Sequence, residues 1–180
     1  ALREAIEKAP DDLSLQLALL QKLRRSGDFM GANAVLDAIV KKDPNGKSEA
    51  AAEAMLMRVT DEVFKAGVDP KDYDTKPLRS FLAKVKHKRV LFLGWDRVAA
   101  AEWKKDDLKA AVAAAEKAWK NIPPEFVLEW GQNVAGKAYE AYAELDKVNK
   151  TVLKRAVDVS EKALEVVEKR HKQNPDNVWL

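Results

Sequence analysis

Cysteine is absent from the sequence, and several other features are scarce enough to exclude whole classes of protein. A chain without cysteine forms no disulfides, has no thiolate nucleophile and binds no metal through sulfur. No apolar run approaches the roughly 20 residues that cross a bilayer. Only 7 Gly and 7 Pro occur among 180 residues, a balance that favours a helical chain over a disordered or β-rich one.

An excess of charge of one sign is also missing. The 32 Lys and Arg residues nearly balance the 29 Asp and Glu residues, which gives a net charge of +3. So weak a bias does not by itself indicate a nucleic-acid or membrane partner. No signal peptide is visible and the first residue is Ala rather than Met, so we expect a soluble fragment of a longer protein. Its compartment, cytoplasm or periplasm, stays open.

Motifs for catalysis and cofactor binding are lacking too. The sequence contains no Gly-x-Ser-x-Gly motif, no Gly-x-x-x-x-Gly-Lys-Ser/Thr phosphate loop and no Gly-x-Gly-x-x-Gly fingerprint. The two histidines, His87 and His171, stand far apart without cysteine partners, so no zinc site is predicted. We therefore predict a protein that is not an enzyme and needs no metal or cofactor.

The segment AGVDPKDYDTKP contains three closely spaced aspartates, a composition that calls for a comparison with calcium loops. Counted from its first Asp, it lacks the Gly at position 6 and the Glu at position 12 that an EF-hand loop requires. We interpret it instead as a loop between helices at about 48–66 and 76–87. Asp74 or Thr75 would cap the second of these helices.

The sequence does contain a helix-like segment that recurs and each time ends at a proline. VLDAIVKKDPNG, at 35–46, aligns with ALREAIEKAPDD, at 1–12, at an offset of 34 residues. AAEKAWKNIPPE, at 114–125, fits the same frame, and the residues before Pro175 fit it less well. Each segment has apolar residues at helical spacing, and proline cannot continue a helix.

The stretch 13–46 shows what the period means. It has apolar residues at Leu19, Leu20 and Leu23, then a Gly-Asp-aromatic turn that starts at Gly27, then a small residue, Ala32. A helix–turn–helix with a period of 34 and this pattern resembles the tetratricopeptide repeat. The family's tryptophan is replaced by Gln16.

The stretch 92–125 resembles the same family at other positions. It has the family's tryptophan at Trp95, and we expect Trp95 and Trp119 to pack between helices. Its turn, Asp106-Asp107-Leu108, has no glycine.

The resemblance implies an all-α, right-handed α-solenoid of about nine helices in a single domain, 1–180. Within that domain we predict a half repeat at 1–12 and two repeats that fit the family, at 13–46 and 92–125. We also predict a degenerate repeat at 47–91 and an extended repeat at 126–177.

In this family the first helices of the repeats line a concave groove that binds a peptide or a partner helix. The resemblance places the following residues in that groove: Leu17, Gln21, Arg24 and Arg25; Asp96, Trp103 and Lys104; Trp130, Asn133, Lys137 and Glu140. Because most of them are polar, we expect an anionic or C-terminal peptide segment as the ligand. The predicted function is therefore a non-catalytic scaffold for protein–protein interaction, with the oligomeric state left open.

Two alternatives remain open at this level. The chain could be the accessory region of an enzyme or redox protein, such as a thioredoxin-type protein, whose catalytic domain lies outside it. Alternatively, the segment 76–89 could bind nucleic acid or another anion, because it has six cationic residues and no acidic one. If the segment has no binding role, we interpret it as a solvated helix face with Leu78, Leu82 and Val85 turned inward. The six cations are Lys76, Arg79, Lys84, Lys86, Lys88 and Arg89.

Overall fold

The computed structural model describes residues 2–127 and ten isolated positions further along: Val157, Asp158, Glu161, Lys162, Leu164, Glu165, Glu168, Lys169, Lys172 and Gln173. The first of these parts contains only helices and the loops that join them. The helices are α1 (Leu2–Lys8), α2 (Leu13–Arg25), α3 (Phe29–Lys42), α4 (Glu49–Val63), α5 (Lys76–Leu82), α6 (Lys88–Lys104) and α7 (Leu108–Lys120), with short 3-10 turns at Pro70–Asp72 and Pro124–Phe126.

The predicted all-α class is confirmed over the described residues, which include no strand. The isolated positions between 157 and 173 are helical as well. Most of 126–177 falls outside the described residues, so the number of nine helices stays a prediction. None of the described helices is long and apolar enough to cross a membrane.

Polar side chains fix where four of the helices begin. Asp12 accepts hydrogen bonds from the amides of Ser14 and Leu15 at the start of α2, and Ser48 accepts one at the start of α4. Asp28 and Asp107 do the same for α3 and α7. These residues satisfy amide groups that have no partner within the helix, which is why Asp and Ser stand at these positions.

The α2–α3 and α6–α7 turns have the same backbone form although only one contains glycine. Gly27 has φ 78°, and Asp106 takes the equivalent left-handed conformation with φ 60°. The amide of Asp28 donates to the carbonyl of Leu23, and the amide of Asp107 donates to that of Glu102. The missing glycine at 106 therefore does not change the turn, because aspartate tolerates this conformation better than most residues do.

The helices pack in chain order. α2 contacts α3 and α4, α4 contacts α5 and α6, and α6 contacts α7. α3 also lies against α4, and α5 against α6. Each helical hairpin thus packs both of its helices on the first helix of the next hairpin.

α4 belongs to two hydrophobic cores and is buried on both sides. Ala51, Ala54 and Met57 join the core formed with α2 and α3. Leu56 and Val63 join the core formed with α5, α6 and α7. A helix between two packed layers needs two apolar faces, which explains its run of alanines.

The segment 76–89 is not one helix, contrary to the prediction of a helix over 76–87. α5 ends at Leu82, and α6 begins at Lys88 after a loop. Leu82 lies so close to α6 that a Cβ on Gly94 would come within 2.3 Å of a Leu82 methyl group. We attribute the early end of α5 to this close approach, which requires the chain to turn back before α6.

The start of α5 also differs in detail from the prediction. Thr75 stands at the N-cap position, but its side chain makes no capping hydrogen bond. Its hydroxyl instead donates to Glu102 at 2.6 Å. Asp74 accepts a hydrogen bond from the amide of Lys76 at 3.0 Å, so the aspartate is the side chain that binds the first turn.

Candidate binding face on α2, α4 and α6

Polar side chains from three helices meet along the contacts of α4 with α2 and α6. Gln21 and Arg24 extend from α2, Glu53 and Asp61 from α4, and Arg89 from α6. Their helices are the first members of successive hairpins, so the residues lie along one side of the packed array. We call this set of side chains, together with Arg97 of α6, the polar face.

Glu53 is the centre of the first group on the polar face. Its side chain is only 5% exposed. Gln21 Nε2 donates to its Oε1 at 2.8 Å, and Arg89 Nε lies 3.1 Å from its Oε2. A buried carboxylate requires such partners, and these two tie α2 and α6 to α4.

Arg24 and Asp61 form the second group. The guanidinium contacts both carboxylate oxygens, at 3.1 Å and 2.5 Å. A paired geometry of this kind fixes orientation as well as charge. Asp61 is more than half exposed, so this pair lies at the solvent edge of the polar face.

Arg97 is the third arginine of the polar face, and part of its guanidinium is left unsatisfied. Burial lowers the pKa of Arg97 from its ordinary value, and the nearby charge of Glu53 acts in the opposite direction. The group stays protonated at neutral pH, since arginine keeps its proton in proteins. Among the described residues, its Nη1 is buried without a hydrogen-bond partner, as is Nε of Arg24. Unsatisfied buried donors of this kind are uncommon in folded proteins.

The structure brings together only part of the groove predicted from the sequence. Gln21 and Arg24 are there, but both contact α4. Leu17 is half-buried and packs against the core of α2, α3 and α4, whereas Arg25 is exposed.

The predicted groove positions of α6 have mixed environments. Asp96 and Trp103 are half-buried, and Asp96 already takes part in an interaction within the protein. Lys104 is exposed. The remaining predicted groove residues lie outside the described residues: Trp130, Asn133, Lys137 and Glu140.

Three members of the polar face were missed by sequence reasoning, namely Glu53, Asp61 and Arg97. Glu53 and Asp61 belong to the degenerate repeat 47–91, for which no groove positions were predicted. A signal was present for Glu53, because this acid interrupts the run of small apolar residues that begins at Ala50. A charge in such a place indicates a paired or functional group.

The tryptophans expected between helices are found there. Trp119 is buried, and Trp95 is half-buried against the same core. The Lys117 ammonium lies 4.2 Å from the centre of the Trp95 ring, and the Arg79 guanidinium 5.9 Å from it. Lys162 similarly lies 5.5 Å from the centre of the Trp119 ring.

Two of the six cations in the segment 76–89 are bound within the protein. Arg79 pairs with Glu102 at 2.8 Å, and Arg89 pairs with Glu53. The lysines at 76, 84, 86 and 88 are exposed. Phosphate contacts from this segment would therefore rest on four lysines rather than on six cations.

The aspartate-rich loop uses its carboxylates on the backbone. Asp69 accepts a hydrogen bond from the amide of Lys71 at 2.9 Å, as Asp74 does from Lys76. In the part of the chain that the structure describes, no three His, Asp or Glu side chains are grouped so that they could hold a metal ion.

Comparison of the chain with protein-family models, with curated proteins and with solved structures gave no significant match.

Proposed function

We propose that this chain is a tetratricopeptide-like repeat domain that binds a partner protein through the polar face. The observation that carries the proposal is the packing order of the helices. The first helices of three successive hairpins, α2, α4 and α6, contact one another in turn. Stacked hairpins of this kind offer a continuous surface along which an extended peptide can lie.

The chemistry of the polar face favours an acidic ligand. It has three arginines, and Glu53 and Asp61 already accept hydrogen bonds from Gln21, Arg24 and Arg89. Arg97 is half-buried and keeps an unsatisfied donor, so a small rotation of its long side chain would present that donor to an incoming carboxylate. A side-chain or C-terminal carboxylate of the peptide would then complete the hydrogen bonding of the polar face.

The test is selection from a phage library of random peptides displayed with free C termini. We expect the enriched peptides either to carry an acidic side chain or to require their C-terminal carboxylate, and we expect this carboxylate to bind at the polar face. Arg97→Met should weaken their binding about tenfold, since a hydrogen bond between charged groups contributes about 1.5–3 kcal/mol. Trp103→Ala with Lys104→Ala should also weaken it and leave helicity intact.

Lys41→Met is the matched control, because it removes one exposed cation from α3 and leaves the polar face intact. Its peptide affinity should equal that of the unmodified protein. The proposal fails if no peptide is enriched, or if the Arg97 and Lys41 variants bind the enriched peptides equally well.

The two alternatives have less support. No described residue points to a neighbouring catalytic domain. Nucleic-acid binding through 76–89 would have to use four lysines, and Phe81, the one aromatic residue in the segment, is half-buried against the core. A measurable affinity for generic DNA or RNA at low salt, falling steeply as salt is added, would favour that alternative.

A further inference from the structure

A pocket of about 640 Å³ opens where two interhelical loops meet, and none of the residues of the polar face lines it. The α3–α4 loop contributes residues 44–47 and the α5–α6 loop contributes residues 84–87. The two loops are joined by His87, whose Nε2 donates to the carbonyl of Lys47 at 3.0 Å. A cavity of this volume is within the range of small-ligand sites.

The inner wall of the pocket is apolar. It is formed by Ala52 and Met55 of α4, Phe81 of α5 and Val85 of the α5–α6 loop. Met55, Phe81 and Val85 are each half-buried, so they present hydrocarbon surface to the pocket as well as to the core. Removing such surface from water would stabilise an apolar ligand by about 25 cal/mol for each Å² covered.

The rim of the pocket is cationic. Lys47, Lys84 and Lys86 line it together with His87, and none of the lining residues in the described part of the chain is acidic. The nearby Asp43 does not line the pocket, and its carboxylate accepts hydrogen bonds from the amides of Lys47 and Ser48. The rim therefore has three lysines beside an apolar wall.

We propose that this pocket binds a small amphiphilic carboxylate, with its hydrocarbon body on Met55, Phe81 and Val85 and its carboxylate among Lys47, Lys84 and Lys86. A nucleic acid does not match the wall, which has one aromatic side chain and three aliphatic ones. The pocket also lies at the junction of two loops rather than along a row of helices, so it is a compact site and not a track for an extended peptide. This inference does not depend on the proposed function of the polar face.

The three methionines make the proposal directly testable. Met55 lines the pocket, Met57 is buried in the core of α2, α3 and α4, and Met30 is 88% exposed on α3. Protein labelled with ¹³C at the methionine methyl groups would give one signal for each site, assigned with Met→Leu variants. Sodium decanoate, added below its micelle-forming concentration, should shift the Met55 signal saturably and leave those of Met30 and Met57 in place.

Two variants separate charge recognition from simple apolar binding. Lys84→Met with Lys86→Met should raise the dissociation constant for decanoate about tenfold or more, as expected from losing contacts to an ionised group. Lys71→Met with Lys109→Met removes the same charge from exposed positions outside the pocket and should leave the constant unchanged.

Several results would overturn the proposal. The Met55 signal could fail to saturate, or it could respond equally to decanol, which lacks the carboxylate. The signals of Met30 or Met57 could move as much as that of Met55, which would indicate non-specific association. If a short peptide that ends in leucine bound more tightly than decanoate, the pocket would instead be a site for the C terminus of a protein.

Discussion

The hairpins α2–α3 and α6–α7 have the same form but fill their interiors differently. Equivalent residues are 79 positions apart, as in the pair Gly27 and Asp106 at the two turns. In the first hairpin the central buried positions are large, at Leu20, Leu36 and Ile39. In the second, the equivalent central positions are all alanine: Ala99, Ala115 and Ala118.

The second hairpin has larger side chains than the first at positions next to these central alanines. Phe92, Trp95 and Trp119 pack in or against its core, where the first hairpin has Leu13, Gln16 and Val40. The two hairpins therefore share a turn geometry and a buried alanine, Ala32 in the first and Ala111 in the second, whereas large and small residues exchange places elsewhere in their interiors. Cores tolerate exchanges of this kind when patterning and volume are kept.

A charged group is the second difference between the hairpins. Glu102 of α6 is buried where α2 has the half-buried Leu23. Its carboxylate accepts hydrogen bonds from Thr75 and Arg79 and pairs with Lys105 at 3.1 Å. α6 is thus connected by polar contacts to the loop before α5 and to α5 itself.

The largest effect that we predict tests whether the two cores are interchangeable. Ile39→Ala gives the first hairpin the residue of the second at a site that is 0% exposed. We expect a loss of about 3 kcal/mol in the free energy of unfolding, because a buried cavity forms. Urea unfolding followed by circular dichroism measures it.

The reciprocal change, Ala118→Ile, should cost about 2 kcal/mol by overpacking the second hairpin. If both variants were as stable as the unmodified protein, the two interiors would be equivalent and the comparison would fail.

A smaller effect is expected from the buried charge. Burial alone would raise the pKa of Glu102, but hydrogen bonds from Thr75, Arg79 and Lys105 outweigh it, and the pKa is lowered from the ordinary value of 4.5. A carboxyl group whose pKa is lower in the folded than in the unfolded protein stabilises the fold above the unfolded pKa. That stabilisation is lost as the pH falls below 4.5.

Glu102→Gln should therefore reduce the free energy of unfolding at neutral pH by about 2 kcal/mol. In this variant the free energy of unfolding should also decline less steeply as the pH falls below 4.5. Asp37→Asn is the matched control, since Asp37 pairs with Arg58 at an exposed site. We expect it to cost at most about 0.5 kcal/mol. Equal pH profiles for the Glu102 variant and the unmodified protein would show that the carboxylate contributes nothing.

The smallest pair of effects sharpens the comparison of the turns, because the two changes have opposite signs. Gly27→Ala should destabilise by about 1 kcal/mol, since alanine is strained at positive φ. Asp106→Gly should stabilise by about 0.5 kcal/mol for the same reason. Thermal melting measures both, with a shift of about 2–4 °C for each kcal/mol. A shift of the same sign in both variants would contradict the shared turn geometry.

Much of the helical framework could be predicted from local sequence signals. The turn at Gly27 follows from a residue that tolerates positive φ next to a capping Asp. The helix ends before Pro44 and Pro123 follow from proline's missing amide. The prediction of one helix over 76–87 was wrong, since α5 ends at Leu82. The side chain of Leu82 packs against Gly94 of α6, and a pattern within 76–87 cannot indicate a contact with a residue outside that segment.

The candidate site was less accessible to sequence reasoning than the framework. Gln21 and Arg24 were placed on the correct helix, but their hydrogen-bond partners are on α4. Arg97 could not have been identified, since a buried donor without an acceptor is a property of the packed protein. The apolar wall beside 84–87 likewise comes from α4 and α5.

The sequence by itself determined the helical class, the proline stops, the capped turns and the absence of cysteine chemistry. These follow from backbone preferences and composition, which act over a few residues. Only the tertiary structure decided which charges are paired, which donor is left unsatisfied and where a pocket opens between loops. Those properties depend on distances between residues far apart in the chain, and packing alone sets such distances.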